Sequence, residues 1–172
     1  MNLQEAISLI EPGIFQDNIP QHWADLGCGN GIFTYALAHL LTAGSSITAV
    51  DRSPQELNTA MDNGVSIQFE QMDFNQENIK LPNLDGILMA NSFHFISQKE
   101  TLIKRLEKFF DRDKQLLIIE YESNVPNPWV PYPITFNKLH RLFNDLGYSS
   151  ITKINERPSS FGGQMYAALI KI

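Results

Sequence analysis

The sequence predicts an α/β fold: a doubly wound, mainly parallel sheet with helices on both faces and an antiparallel hairpin at its C-terminal end. Three observations predict it. Short apolar or β-branched runs alternate with amphipathic helical stretches over residues 22–121. A turn holding Gly27, Gly29 and Gly31 joins the first such run directly to a helix. The last two strand-like runs are linked by "PSSFGG" alone. A parallel return needs a crossover of a dozen or more residues, so those two must pair antiparallel.

In chain order, Leu3, Ala6, Ile7 and Ile10 recur at helical spacing behind Asn2, a capping residue. The turn-rich "EPGIFQDNIPQ" leads into the buried strand "HWADL", which the glycines end. Ile32, Tyr35, Ala36, Leu37, Leu40 and Leu41 define the helix that follows. Next come a β-branched strand, "SSITAVD", and a stretch that reads as helix, "SPQELNTAMDNG", with Pro at its first turn and Gly at its end. "VSIQFEQMD", "LDGILMAN" and "QLLIIEY" are three further strands. Between the last two, "SQKETLIKRLEKFF" is a helix with Ser97 and Glu100 at capping-box spacing. Four prolines in "SNVPNPWVPYP" forbid a helix or central strand there. A helix closing at Gly147 and the strands "YSSITKINER" and "QMYAALIKI" complete the chain, read as one domain over residues 1–172.

A net charge of −6 disfavours a general binder of nucleic-acid backbones. Cys28 is the single cysteine, so no intrachain disulfide forms and a reducing compartment suits the chain. No apolar run approaches the roughly 18 residues of a membrane span, and "MNLQEAISLI" lacks the pattern of a secretory signal, so a cytoplasmic location is expected. No Cys/His cluster with metal-ligand spacing occurs, and no metal is expected.

In a parallel sheet the glycine turn lies at the carboxyl ends of the strands, where ligands bind. Its spacing is not that of a dinucleotide fingerprint, which has its third glycine at the sixth position, here Ile32. It is not a P-loop either, since no Lys follows. Asp25, two residues before the first glycine, is a poor neighbour for a pyrophosphate and a good one for a cation.

On these residues the chain resembles the class I S-adenosylmethionine-dependent methyltransferases. "ADLGCGNG" is similar to their acid and glycine loop, "AVDRSPQEL" to their second-strand acid, "QMDF" to their third-strand acid and "DGILMANSFHFI" to their fourth strand and following loop. The four landmarks occur in order over about residues 20–120. "NPWVPYPITF" with "RPSSFGGQMYAAL" resembles a group of small bacterial members.

The resemblance implies a Rossmann-like, seven-stranded sheet, S-adenosyl-L-methionine as cofactor and S-adenosyl-L-homocysteine as product. It implies that Gly27, Cys28 and Gly29 offer backbone to the cofactor, with Asp25 near its ammonium group. It places Asp51 on the ribose hydroxyls, Asp73 on the adenine amine with Met72, Phe74 and Arg52 flanking the ring, and Asn91 near the reactive methyl. Asp51 also reads as the cap of the turn into "SPQEL", and Cys28 as a small buried residue without a paired base.

His94 is the candidate base, with a packed histidine as its rival reading. Glu120, Tyr121 and Glu122 end the fifth strand, where alternation keeps all three from pointing inward, and Glu120 and Glu122, with Trp129 and Tyr132 on the proline-rich loop, are the candidate contacts to a small-molecule acceptor. That loop reads equally as a cover for the sheet edge, and "PSSFGG" is a further candidate lining of the pocket. The chain lacks the signatures of DNA-base methylases. The alternatives are a module that binds the cofactor without turnover and, further off, a nicotinamide-dependent oxidoreductase.

Overall fold

The structure, a computed structural model, describes residues 1–12, 18–110 and 115–172. Part of the turn-rich lead 11–21 falls outside the described residues. The elements are α1 (Leu3–Ile10), β1 (His22–Leu26), α2 (Ile32–Leu40), β2 (Ser46–Asp51), β3 (Ser66–Gln71), β4 (Gly86–Ala90), α3 (Lys99–Leu106), β5 (Gln115–Tyr121), α4 (Phe136–Asp145), β6 (Ser150–Pro158) and β7 (Gln164–Lys171). Short 3₁₀ turns at Phe93–Phe95 and Glu107–Phe109 flank α3.

The seven strands form one sheet in the order β3-β2-β1-β4-β5-β7-β6. The first five pair in parallel, and β7 runs antiparallel to both β5 and β6. Strand β7 thus inserts between β5 and β6, and the β6–β7 turn lies at the same sheet edge as the glycine loop. The mainly parallel sheet with an antiparallel end is as expected.

Strand alternation divides the buried residues between two faces. Ala24, Leu26, Ile87, Met89, Leu116 and Ile118 face α3 and α4, whereas Trp23, Leu88, Leu117 and Ile119 face α1 and α2. The same alternation sends Asp25 to the α2 face and Glu120 to the α3/α4 face. Gly86, opposite Trp23 across β1 and β4, leaves room for the indole: a Cβ there would come within 2.5 Å of it.

Helix α1 carries the cap that Asn2 predicts. Its side chain accepts the Glu5 amide at 2.9 Å, and Glu5 accepts the Asn2 amide at 2.8 Å. Helix α4 starts at the cap Thr135, and Glu122 also accepts the Phe136 amide at 3.1 Å.

Two local expectations fail. Residues 53–64 form no helix. Leu57 and Met61 are the only large apolar residues there, too few for a buried stripe, and the backbone finds other partners. The Asn58 amide donates to Tyr35 Oη, the Met61 amide to Val65 O and the Thr59 carbonyl accepts from Ile67, each at 2.9 Å. The Ser97/Glu100 capping box does not form either. Helix α3 begins at Lys99 with Gln98 as its N-cap and no side-chain cap bond, so Ser97 lies one residue too early. Among the described residues, no helix is long and apolar enough to cross a membrane.

Candidate active site

The glycine loop is folded onto the end of β2. The amides of Gly27 and Cys28 both donate to Val50 O, at 2.8 and 3.0 Å, and the Gly29 amide donates to Asp51 Oδ2 at 2.9 Å. Gly27 has φ +85°, and a Cβ there would come within 2.5 Å of Ser92 Cβ. Ser92 is fixed by its own hydroxyl, which donates to Leu26 O at 2.5 Å. Glycine is therefore required twice over, by backbone conformation and by contact. Gly31 is left-handed too, φ +81°, with Leu57 over its α-carbon.

Asp25 is fully buried. Its Oδ2 accepts the Thr34 hydroxyl at 2.6 Å, while Oδ1 has no partner. Burial raises its carboxyl to about 7, against the pull of the Thr34 hydrogen bond, with Asp51 adding a smaller push upward. Cys28, 8% exposed, has its thiol pushed up to about 12, chiefly by burial, so it is inert at neutral pH.

Two cavities flank the loop. The first, about 380 Å³, lies between Asp25, the glycine loop, Asn91 and Tyr121 on one side and the β6–β7 turn, including Arg157 and Phe161, on the other. The second, about 330 Å³, is bounded by Asp51, Arg52, Asp73, Phe74, Ser92 and Phe95. They share Gly27 and Asn91. Asn91 sits at the end of β4 with φ +53°, unusual for a residue with a side chain, and its Oδ1 is shielded without a partner.

A family model described as a methyltransferase domain matches residues 24–111, which span β1, the glycine loop, β2, β3, β4 and α3. The chain belongs to the methyltransferase-domain family. Its sheet order and its acid-and-glycine loop are those of the class I S-adenosylmethionine-dependent members.

Solved structures agree on the fold of this methyltransferase. One is the 1,6-didemethyltoxoflavin-N1-methyltransferase of Burkholderia thailandensis, crystallised with its didemethyltoxoflavin and S-adenosylhomocysteine. It has a TM-score of 0.69 and 18% identity over 98% of this chain and 77% of that one. A cyclopropane-fatty-acyl-phospholipid synthase-like protein from Lactobacillus casei gives 0.71 and 13% over 99% and 90%. An S-adenosylmethionine-dependent methyltransferase from Aquifex aeolicus gives 0.61 and 16% over 100% and 99%. No curated protein matches the sequence.

Asp25, Gly27, Cys28, Gly29, Asp51, Arg52, Asp73, Phe74 and Asn91 all line one or both cavities. Met72 does not; it packs on the core, and its amide donates to Asp51 O. Asp51 combines both of its readings, since its Oδ1 also accepts the Ser53 amide at 2.9 Å and caps that turn.

The candidate acceptor residues are placed differently. Glu120 is fully buried on the α3/α4 face, where Oε2 meets His94 Nδ1 at 2.8 Å and Oε1 accepts the His94 amide at 2.9 Å. His94, 3% exposed, lines neither cavity; its ring centroid lies 5.8 Å from that of Tyr121, which does line the first. Glu122 is committed to the α4 start and to Lys153, 3.7 Å away. Trp129, 79% exposed, and Tyr132 line neither cavity, and the Tyr132 amide donates to His94 O at 3.0 Å.

The loop "PSSFGG" does border the first cavity, through Pro158, Ser159, Ser160 and Phe161. Sequence reasoning missed Thr34, Ser92 and Arg157. Thr34 reads as one more residue of a helix, and nothing local marks Ser92 or Arg157.

Proposed function

We propose that this domain, residues 1–172, is an S-adenosylmethionine-dependent methyltransferase acting on a small-molecule acceptor. The observation that carries the reading is the pair of shielded, unpartnered oxygens, Asp25 Oδ1 and Asn91 Oδ1, on two residues that line one cavity beside the glycine loop. Two shielded acceptors without donors call for a ligand that donates hydrogen bonds, and the Asp25 carboxylate, when ionised, favours a cationic one. The cofactor has an ammonium group and a sulfonium centre, and when bound it supplies an activated methyl group.

This chain's own residues then bind, orient and exclude water. Gly27 and Gly29 let the ligand reach the backbone, and Asp25 takes the ammonium. Asp51 accepts from the ribose hydroxyls with its remaining lone pairs. Arg52, Asp73 and Phe74, which border the second cavity, would hold the base, and Asn91, which borders both cavities, would lie beside the methyl. Tyr121, Phe161 and Met165 bound the acceptor half of the first cavity.

Alignment of acceptor, methyl and sulfur supplies much of such a displacement, so no dedicated base is needed. We assign His94 to positioning: Glu120 fixes its ring and amide, and through them the loop after β4. The same alignment serves transfer to oxygen, nitrogen or carbon. The charge of −6 supports a small acceptor over nucleic acid, and the lone buried Cys28 supports a cytoplasmic setting.

Calorimetric titration with S-adenosylhomocysteine tests the site. Micromolar binding by the wild type and its loss in Asp25→Ala support the reading, and equal binding by both overturns it. Formation of S-adenosylhomocysteine only when an acceptor is added distinguishes an enzyme from a module that merely holds the cofactor.

A further inference from the structure

One charged group of the first cavity is unused by that reading. Arg157, near the end of β6, donates through Nη2 to Glu5 Oε1 at 2.8 Å, joining β6 to α1. Glu5 is well suited to hold it. The Arg157 hydrogen bond first, then the Asn2 amide, lowers its carboxyl to about 2, so it stays ionised. The other nitrogen, Nη1, is shielded from solvent and has no partner.

Among the described residues, four shielded side-chain polar atoms lack a partner: Asp25 Oδ1, Asn91 Oδ1, Arg105 Nε and Arg157 Nη1. Three of those four residues line this one cavity. Two, at the β1 and β4 ends, each hold an unpartnered acceptor, and the third, on the hairpin, holds an unpartnered charged donor. An unmade hydrogen bond on a permanently charged guanidinium is costly, and its planar fork matches a carboxylate. A ligand that satisfies all three atoms carries a cationic group and an anionic one.

We propose that Arg157, through Nη1, receives a ligand carboxylate in the first cavity. This rests on the cofactor reading above. The carboxylate is either that of the cofactor's amino-acid end or one borne by the acceptor; the recognition chemistry is the same.

The test compares wild type, Arg157→Gln and Glu5→Gln. Both variants lose the α1–β6 ion pair, so a melting-point drop common to them reports that bridge. Only Arg157→Gln removes the guanidinium. Affinities for S-adenosylmethionine and for decarboxylated S-adenosylmethionine are measured for each. If the carboxylate is the cofactor's, the wild type and Glu5→Gln prefer the intact cofactor about tenfold or more, and Arg157→Gln loses that preference.

If it is the acceptor's, no form distinguishes the two cofactors. The wild type saturated with S-adenosylhomocysteine then binds benzoate, and Arg157→Gln binds it at least about tenfold more weakly. A wild type with neither preference, or an Arg157→Gln that keeps it, overturns the proposal. Failure of the wild type to bind either cofactor instead overturns the cofactor reading, and benzoate binding to the free protein still decides Arg157.

Discussion

Asp51 Oδ2 accepts the Gly29 amide at 2.9 Å, so the carboxylate at the end of β2 holds the glycine loop that follows β1. The same carboxylate holds the Ser53 amide. Asp51→Ala leaves both amides without this partner and should lower stability by about 1–2 kcal/mol. It should also weaken S-adenosylhomocysteine binding by about tenfold or more, because a charge-assisted contact and the loop shape are lost together. Thermal melting and calorimetry read the two effects. Undiminished affinity would remove Asp51 from the site.

Asp25 should make cofactor binding depend on pH. Its folded-state carboxyl lies at about 7, above the ordinary 3.8, with burial the main cause. In the free protein its stabilising contribution is therefore full below the unfolded-state value and is lost as pH rises through about 7. A cationic ligand needs the carboxylate, so affinity for S-adenosylmethionine should rise through that range and level off above it. Below it, affinity should fall by about tenfold per pH unit, with a proton released on binding. Asp25→Asn keeps an acceptor for Thr34 and removes the buried charge. It should melt at or above the wild-type temperature at pH 8, yet bind poorly and without this pH dependence.

Gly27→Ala places a methyl within 2.5 Å of Ser92 Cβ at a backbone angle that side chains rarely adopt. The expected cost is about 2–4 kcal/mol, from strain and overpacking together. Ser92→Gly in the same chain relieves the collision and leaves the backbone strain, so it should recover part of the melting temperature. Full wild-type stability in Gly27→Ala would show that the loop lies elsewhere.

The buried His94–Glu120 pair is expected to matter for stability first. Glu120→Ala strands the His94 amide and ring nitrogen and should cost about 2–4 kcal/mol. Under the positioning role, His94→Gln lowers the melting temperature but leaves S-adenosylhomocysteine affinity within about twofold. It also leaves the shape of the kcat pH profile unchanged once an acceptor is found. A lost limb in that profile would make His94 the base after all.

Lys99 ties the proline-rich loop down. Its ammonium donates to Ile96 O at 2.7 Å and to Tyr132 O at 2.8 Å and lies over the Phe93 and Tyr132 rings. Burial lowers it to about 8, partly opposed by Glu120. Lys99→Met keeps the stem and removes the donors. Amide exchange in residues 127–133 should rise about tenfold, while exchange in β5 stays unchanged.

The residues that line the cavities beside the glycine loop were legible because that part of the candidate site is built from backbone and from local sequence. A glycine that must be left-handed, an acid two residues before it and acids ending successive strands are all marked in the chain itself. The acceptor half was less so. Trp129, Tyr132, Glu120 and Glu122 are the expected residue types at the expected sheet edge. Which way a side chain points, however, is decided by its strand's face and by its partner: Glu120 faces α3 and α4 and binds His94, and Glu122 serves α4.

Apolar spacing determined most of the elements and the sheet class, because it states which face of each element is buried, and the short link between the last two strand-like runs determined the antiparallel end. It failed at residues 53–64, where turn residues found partners in Tyr35 and β3 in place of their own helix. Only the tertiary structure brought Arg157 and Glu5 together across 152 residues and set Arg157 beside the cavity that Asp25 also lines. Short-range spacing cannot encode such a meeting, because it is made by the packing of α1 against the last strands and not by the residues beside either partner.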